Sequence, residues 1–334
     1  MEARDFVAPT VAFFVVVALV VGGAAALPFL SGGDTPEVSN LAKQQSDLDA
    51  ARVAAADESG EITMDSDADG KTILVDKAHG NELSDEKLST LVNTLVENGH
   101  EVRFATQEQA RGSAWNESLR SADALLVANP KRPYTPDQLA GVRAFHDAGG
   151  RVLLLSDPAS PSMGSIFGLL GVASQQPSSG GPGLSSTFGV SAHAGYLFNM
   201  HEYQQNFKSV YATGGSGSLS EGVDRVVFRD AVAVSTDDGQ QALTTVERTK
   251  LSTTRRADTY AVAVQSGDAA MVGDTDFLAP ADAYDASNEA FIGNLADFLV
   301  SGQKTENAPK PPSSGAPGGA GPAPPRPTPP QSTP

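Results

Sequence analysis

Six polar residues carry the types and positions for chemistry: Asp76, His79, Asn81, Asp157, Asp274 and Asp276. Asp76, Asp157 and Asp274 each stand at or just beyond the end of a short apolar run, at 72–75, 152–155 and 269–272. In an open α/β sheet, ligands bind past the carboxyl ends of the strands. Carboxylates converging there would hold a hard cation or grip a polar ligand through its hydroxyls or amines. His79 and Asn81 lie just past the first run, and Asp276 just past the last. The competing reading is structural, since aspartate also ends strands and caps turns, and Asp157 precedes Pro158. Convergence of these side chains within about 4–6 Å, where charges shift each other's pKa, separates a binding domain from an enzyme. The six residues are therefore a candidate ligand-binding set. No catalytic residue, metal site or cofactor is expected. The alternative is a metal- or carboxylate-dependent hydrolase using Asp76, His79, Asp157 and Asp274.

Other polar features carry less. His100, His146, His193 and His201 lack ligand spacing. The stretch 65–70 opens like a calcium loop, but no glutamate closes it and no helix pair flanks it. Asn116-Glu117-Ser118 is a glycosylation sequon, meaningful only outside the cytoplasm. Tyr196, Phe198, Tyr203, Phe207 and Tyr211 form an aromatic-rich stretch, readable as a partner surface or as buried packing.

The elements that must position the six follow from patterning. Residues 72–76 form a short apolar strand. Ser84 is a natural N-cap, and Leu88, Leu91, Val92, Leu95 and Val96 trace one helix face, closed by Gly99. A strand follows at 101–104 and another at 122–128. Thr135-Pro136-Asp137-Gln138 is a capping box with proline at the first helical position. That helix ends at Gly149-Gly150, before a strand at 152–155. Alternating strands and helices predict a mostly parallel sheet covered on both faces. The second half changes texture. Loops rich in Ser and Gly stand at 175–187 and 213–220, a final apolar strand at 269–272, and strand-like runs at 223–228, 231–235, 242–247 and 260–265. These predict either a β-rich insertion or an antiparallel extension of the same sheet. A helix carrying Phe291, Leu295, Phe298 and Leu299 ends near Gly302. Beyond it, the Pro- and Gly-rich residues 303–334 predict disorder.

Acidic residues outnumber basic ones 40 to 23 among 334 residues, giving a net charge of −17 and a pI near 4.6. That balance repels nucleic acid phosphates and argues against a nucleic acid partner. It suits a protein that stays soluble in high salt. There are no cysteines, so disulfides, thiolate metal sites and cysteine nucleophiles are excluded.

Residues 6–30 carry no charge and are almost wholly apolar. A helix rising about 1.5 Å per residue crosses a ~30 Å hydrocarbon core in roughly 20 residues. The run is read as a single membrane anchor behind a short tail, 1–5, with the rest of the chain outside the cytoplasm. A cleaved signal peptide is the rival, with Ala24-Ala25-Ala26 as its small-residue site. An acidic linker or stalk spans 31–70, with Leu41, Leu48 and Ala55 at a heptad interval, and the folded domain spans 71–302.

Asp76-Lys77-Ala78-His79-Gly80-Asn81, with Gly273-Asp274-Thr275-Asp276-Phe277, Asn288-Glu289-Ala290-Phe291 and Asn294, resembles a membrane-anchored domain-of-unknown-function family. That family belongs to the class I glutamine-amidotransferase-like superfamily and is common in salt-adapted archaea. Its layout is similar to the extracytoplasmic auxiliary subunits of gliding-motility-type ABC transporters. The resemblance implies a flavodoxin-like α/β domain held at the membrane. Amidotransferases of this superfamily use a cysteine nucleophile with histidine and glutamate partners. This chain lacks the cysteine and has no Gly-x-Ser-x-Gly elbow in its place. The resemblance therefore implies a non-catalytic member, an accessory subunit bound to a partner in a membrane or transporter complex.

Overall fold

The computed structural model describes residues 60–81, 83–111, 113–158 and 183–310. The apolar run 6–30, the heptad positions and the tail from 311 lie outside the described residues. Among the described residues, no helix is long and apolar enough to cross a membrane.

A nine-stranded sheet organises the chain. Its parallel half contains β1 (Thr72–Asp76), β2 (Glu101–Ala105), β3 (Ala124–Ala128), β4 (Arg151–Leu155) and β14 (Ala269–Val272). β3 is buried at every position, as an aliphatic strand covered on both faces must be. The second half is an antiparallel extension through β13 (Ala261–Ser266), β10 (Gln240–Thr245), β7 (Ser209–Gly214) and β8 (Val226–Arg229). The full order is β2-β1-β3-β4-β14-β13-β10-β7-β8. Of the two readings of the β-rich half, extension is the one adopted by the main sheet. Two small sheets stand beside it, β5 (Val190–Ala192) with β9 (Val234–Thr236), and β6 (Leu197–Phe198) with β11 (Thr249–Leu251) and β12 (Ala257–Asp258).

Helices cover both faces of the parallel half. α1 (Asp85–Glu97) starts where Ser84 Oγ accepts the Lys87 N–H. α2 (Ala114–Arg120) is a short helix that buries Trp115 and Leu119. α3 (Pro136–Asp147) opens with both bonds of the Thr135–Gln138 capping box. α4 (Asn288–Val300) buries Phe291, Leu295, Phe298 and Leu299.

Side chains alternate between faces along each strand. Ile73 and Val75 join the core beneath α1 and α4, with Leu88, Leu91, Leu95, Phe291 and Leu295. Leu74 joins the core beneath α2 and α3, with Trp115, Leu119, Val142 and Phe145. The sheet thus separates two cores, and each strand-end acid must fall on one side or the other.

The folded region reaches further than 71–302 at both ends. Ile62, Met64 and Ala68 pack against the α1–α4 core. The backbone N–H groups of Asp65 and Ser66 donate to the Asp297 carboxylate at 3.0 and 2.9 Å. Apolar residues on alternate positions anchor this stretch, a pattern that its acidic composition conceals. At the other end, Thr305 donates its N–H to Ala148 O, and Arg120 donates to Pro309 O. Hydrogen bonds to main-chain carbonyls hold these residues, and such bonding needs no run of apolar side chains.

Candidate acid clusters at the strand ends

Asp76 ends β1 and is 1% exposed. Its side chain follows the parity of Leu74 and enters the α2–α3 side. Four donors converge on it. The N–H groups of Ala78 and His79 donate to Oδ1 at 2.8 and 3.3 Å. Tyr134 donates its hydroxyl to Oδ2. His79 Nδ1 lies 3.1 and 2.9 Å from the two oxygens. The carboxylate accepts, so the imidazole hydrogen sits on Nδ1. The local chain makes this possible: Gly80 at φ +72° turns the backbone just past His79. Lys131 and Arg132 then donate their N–H groups to His79 O.

The imidazole is walled in. Tyr134 stacks on it at 3.8 Å between ring centroids, and Trp115 meets it edge-on at 5.1 Å. His79 Nε2 and Trp115 Nε1 are buried without a hydrogen-bond partner among the described residues. Burial pushes the Tyr134 phenol well above its ordinary value, and the Asp76 charge and hydrogen bond add to the effect.

Asp157, Asp274 and Asp276 gather on the α1–α4 side. Asn129 adopts φ 43°, donates from Nδ2 to Asp157 Oδ2 at 2.6 Å, and accepts the Asp157 N–H at 2.7 Å. Thr275 donates to the same Asp157 oxygen at 2.6 Å. Asp274 accepts N–H bonds from Arg229 and Asp276, both at 2.8 Å. Gly273 just before it is dictated by crowding, since a Cβ there would lie 2.1 Å from Val232 O. Lys87 on α1 donates to Asp276. The Arg229 guanidinium pairs with Asp282 and Asp285 at 2.8 Å each.

This second group is short of positive charge. Burial raises the Asp274 carboxyl well above the usual range, and the charges of Asp157 and Asp276 raise it further against its two backbone hydrogen bonds. Burial also raises Asp157, opposed by its bonds from Thr275 and Asn129. For Lys87, burial disfavours the ammonium. The bond to Asp276 and the charges of Asp276, Asp157 and Asp274 outweigh it and raise the pKa.

The six predicted residues therefore do not form one site. Three strand spacings, roughly 14 Å, separate β1 from β14, and the sheet lies between Asp76 and Asp274. The four-residue hydrolase set of Asp76, His79, Asp157 and Asp274 is split by strand parity, well beyond the reach its chemistry needs. Asn81 stands at the carboxyl end of β3, where its Nδ2 donates to Ala128 O at 2.7 Å. Among the described residues, no group of three or more His, Asp and Glu side chains is arranged to hold a metal ion.

Sequence reasoning missed Tyr134 and Trp115. Tyr134 had a signal, as an aromatic between Pro133 and a capping box. Trp115 had one as the sole tryptophan of the chain. The sequon residue Asn116 packs against α3, where a Cβ at Gly141 would lie 1.9 Å from its Oδ1.

Clefts lie elsewhere. One of about 260 Å³ is lined by Asp65, Ser66, Asn294 and Asp297. Another of about 460 Å³ runs along α3 past Leu139 and Arg143. Neither is lined by the six residues.

The aromatic stretch is partly open. Met200, Tyr203 and Phe207 are 60%, 44% and 40% exposed. The neighbouring charges are paired within the chain, Glu202 with Arg225 at 2.8 Å and Lys208 with Asp230 at 2.7 Å.

No family model and no curated protein sequence matches the chain. Its fold is similar to the mmIFT52 N-terminal domain, with a TM-score of 0.53 at 12% identity, covering 70% of this chain and 99% of that one. A putative ThuA-like protein from Parabacteroides merdae aligns with a TM-score of 0.39 at 10% identity, covering 72% and 94%. The glutaminase domain of Trypanosoma brucei CTPS, with bound acivicin, aligns at 0.35 and 9%, covering 71% and 96%. At such identities the first likeness is one of fold.

Proposed function

We propose that this chain is a non-catalytic, glutamine-amidotransferase-like α/β domain, anchored by residues 6–30, that binds a partner protein in a membrane complex, as a transporter accessory subunit would. The observation that carries the binding role is the Met200–Tyr203–Phe207 surface. On a chain of net charge −17, this apolar surface has its flanking charges neutralised internally. A partner approaching there buries aromatic side chains and meets no unpaired charge, the arrangement of an interface core. The non-catalytic part rests on the absence of cysteine and on the four donors that occupy the Asp76 carboxylate.

A photocrosslinker placed at Phe207 in native membranes tests this. One discrete adduct, lost on Met200→Ser and absent with the crosslinker at Asp224, is the expected result. Labelling equal to that at Asp224 contradicts it. A second reading keeps a reduced hydrolase, because Asp76 orients His79 with Nε2 unpartnered. It requires turnover abolished by His79→Gln.

A further inference from the structure

We infer that β2 is the contact strand of a symmetric dimer of this chain, paired antiparallel about Val102. β2 is an end strand of the nine-stranded sheet and, among the described residues, pairs only with β1. The Glu101 N–H donates to Lys71 O, and Ala105 O accepts from Lys77 N–H. Backbone groups alternate in direction along a strand, so residues 101, 103 and 105 bond inward to β1. The N–H and C=O of Val102 and Phe104 point outward, an open template for another strand.

The side chains choose the occupant. Glu101 and Arg103 are exposed on one face and pair with each other at 2.7 Å. Phe104, on the opposite face with Val102, is 41% exposed, and Val96 on the adjacent α1 is 53% exposed. A two-fold axis through Val102 makes the two Val102 residues a mutual hydrogen-bonded pair. It also sets Glu101 of each copy opposite Arg103 of the other. An axis through Arg103 would oppose two arginines, which disfavours that register. Charged edge residues usually discourage pairing, but this order of charges is complementary to itself. A second copy is the partner guaranteed to carry it. Net charge opposes association until salt screens it, over about 3 Å at 1 M.

The cysteine-free sequence makes the test direct. Full-length Val102→Cys carries one thiol, and across the axis its Cα atoms would lie about 5.5 Å apart, within disulfide range. Oxidation in membranes should give a covalent dimer whose yield rises from low to molar salt. Asp224→Cys, exposed and off this edge, should stay monomeric. Adding Glu101→Arg should abolish the Val102→Cys dimer, and adding Arg103→Glu to that should restore it. Sedimentation of the same charge variants with Val102 intact gives the reading without a thiol. A Val102→Cys yield no higher than that of Asp224→Cys, or no response to Glu101→Arg, overturns the inference.

Discussion

Asp76 and Asp274 are each 1% exposed and each stands at the carboxyl end of a parallel strand, but their surroundings differ in kind. Asp76 has four donors and two aromatic walls. Asp274 has two backbone donors and two acidic neighbours. Equal burial thus accompanies a fully hydrogen-bonded carboxyl group on one face of the sheet and an under-compensated one on the other. The α2–α3 side has the makings of a structural polar knot. The α1–α4 side stores charge repulsion that Lys87 only partly offsets.

The largest expected effect comes from emptying the first side. Asp76→Ala strands two backbone N–H groups, the imidazole and the phenol, and should cost about 4 kcal/mol in urea unfolding. Loss below about 1 kcal/mol would show that the knot is not structural. Tyr134→Phe removes one donor and keeps the stacking on His79, so a loss of about 1.5 kcal/mol is expected.

The second side should respond with the opposite sign. Asp157 and Asp274 both bind a proton more tightly folded than unfolded. Their contribution is full below the unfolded carboxylate range, about pH 3.9. It is lost as pH rises through their raised folded values. Stability should therefore fall with rising pH across that window. Asp274→Asn should flatten the fall and stabilise the domain at neutral pH by about 1 kcal/mol. A fall that persists unchanged in the variant would assign it to other groups.

The contrast between the two sides was only half legible in the sequence. Apolar runs and caps placed β1, β4, β14, α1 and α3, because short aliphatic strands and capping boxes are local signals. Strand parity was equally available: Asp76 is even with Leu74, while Asp157 and Asp274 are even with Leu155 and Val272. What a sequence reading lacks is which helix covers which face, and that is set by crossover connections. Tyr134 is 58 residues from Asp76, and no local pattern reports such a contact. The same limit hid 60–69 and 303–309, which are held by packing and hydrogen bonds to distant residues.

The most direct test of the division is a double-mutant cycle between Asp76→Asn and Asp274→Asn. In the first variant the amide oxygen can still accept from the two backbone N–H groups, and its NH2 can donate to the Tyr134 oxygen and, once the imidazole hydrogen moves to Nε2, to His79 Nδ1, so the protein should fold. If the sheet separates two independent clusters, the effects on unfolding free energy should add within about 0.5 kcal/mol. A coupling of about 1 kcal/mol or more would mean that the two acids sense each other, and would return them to a single site.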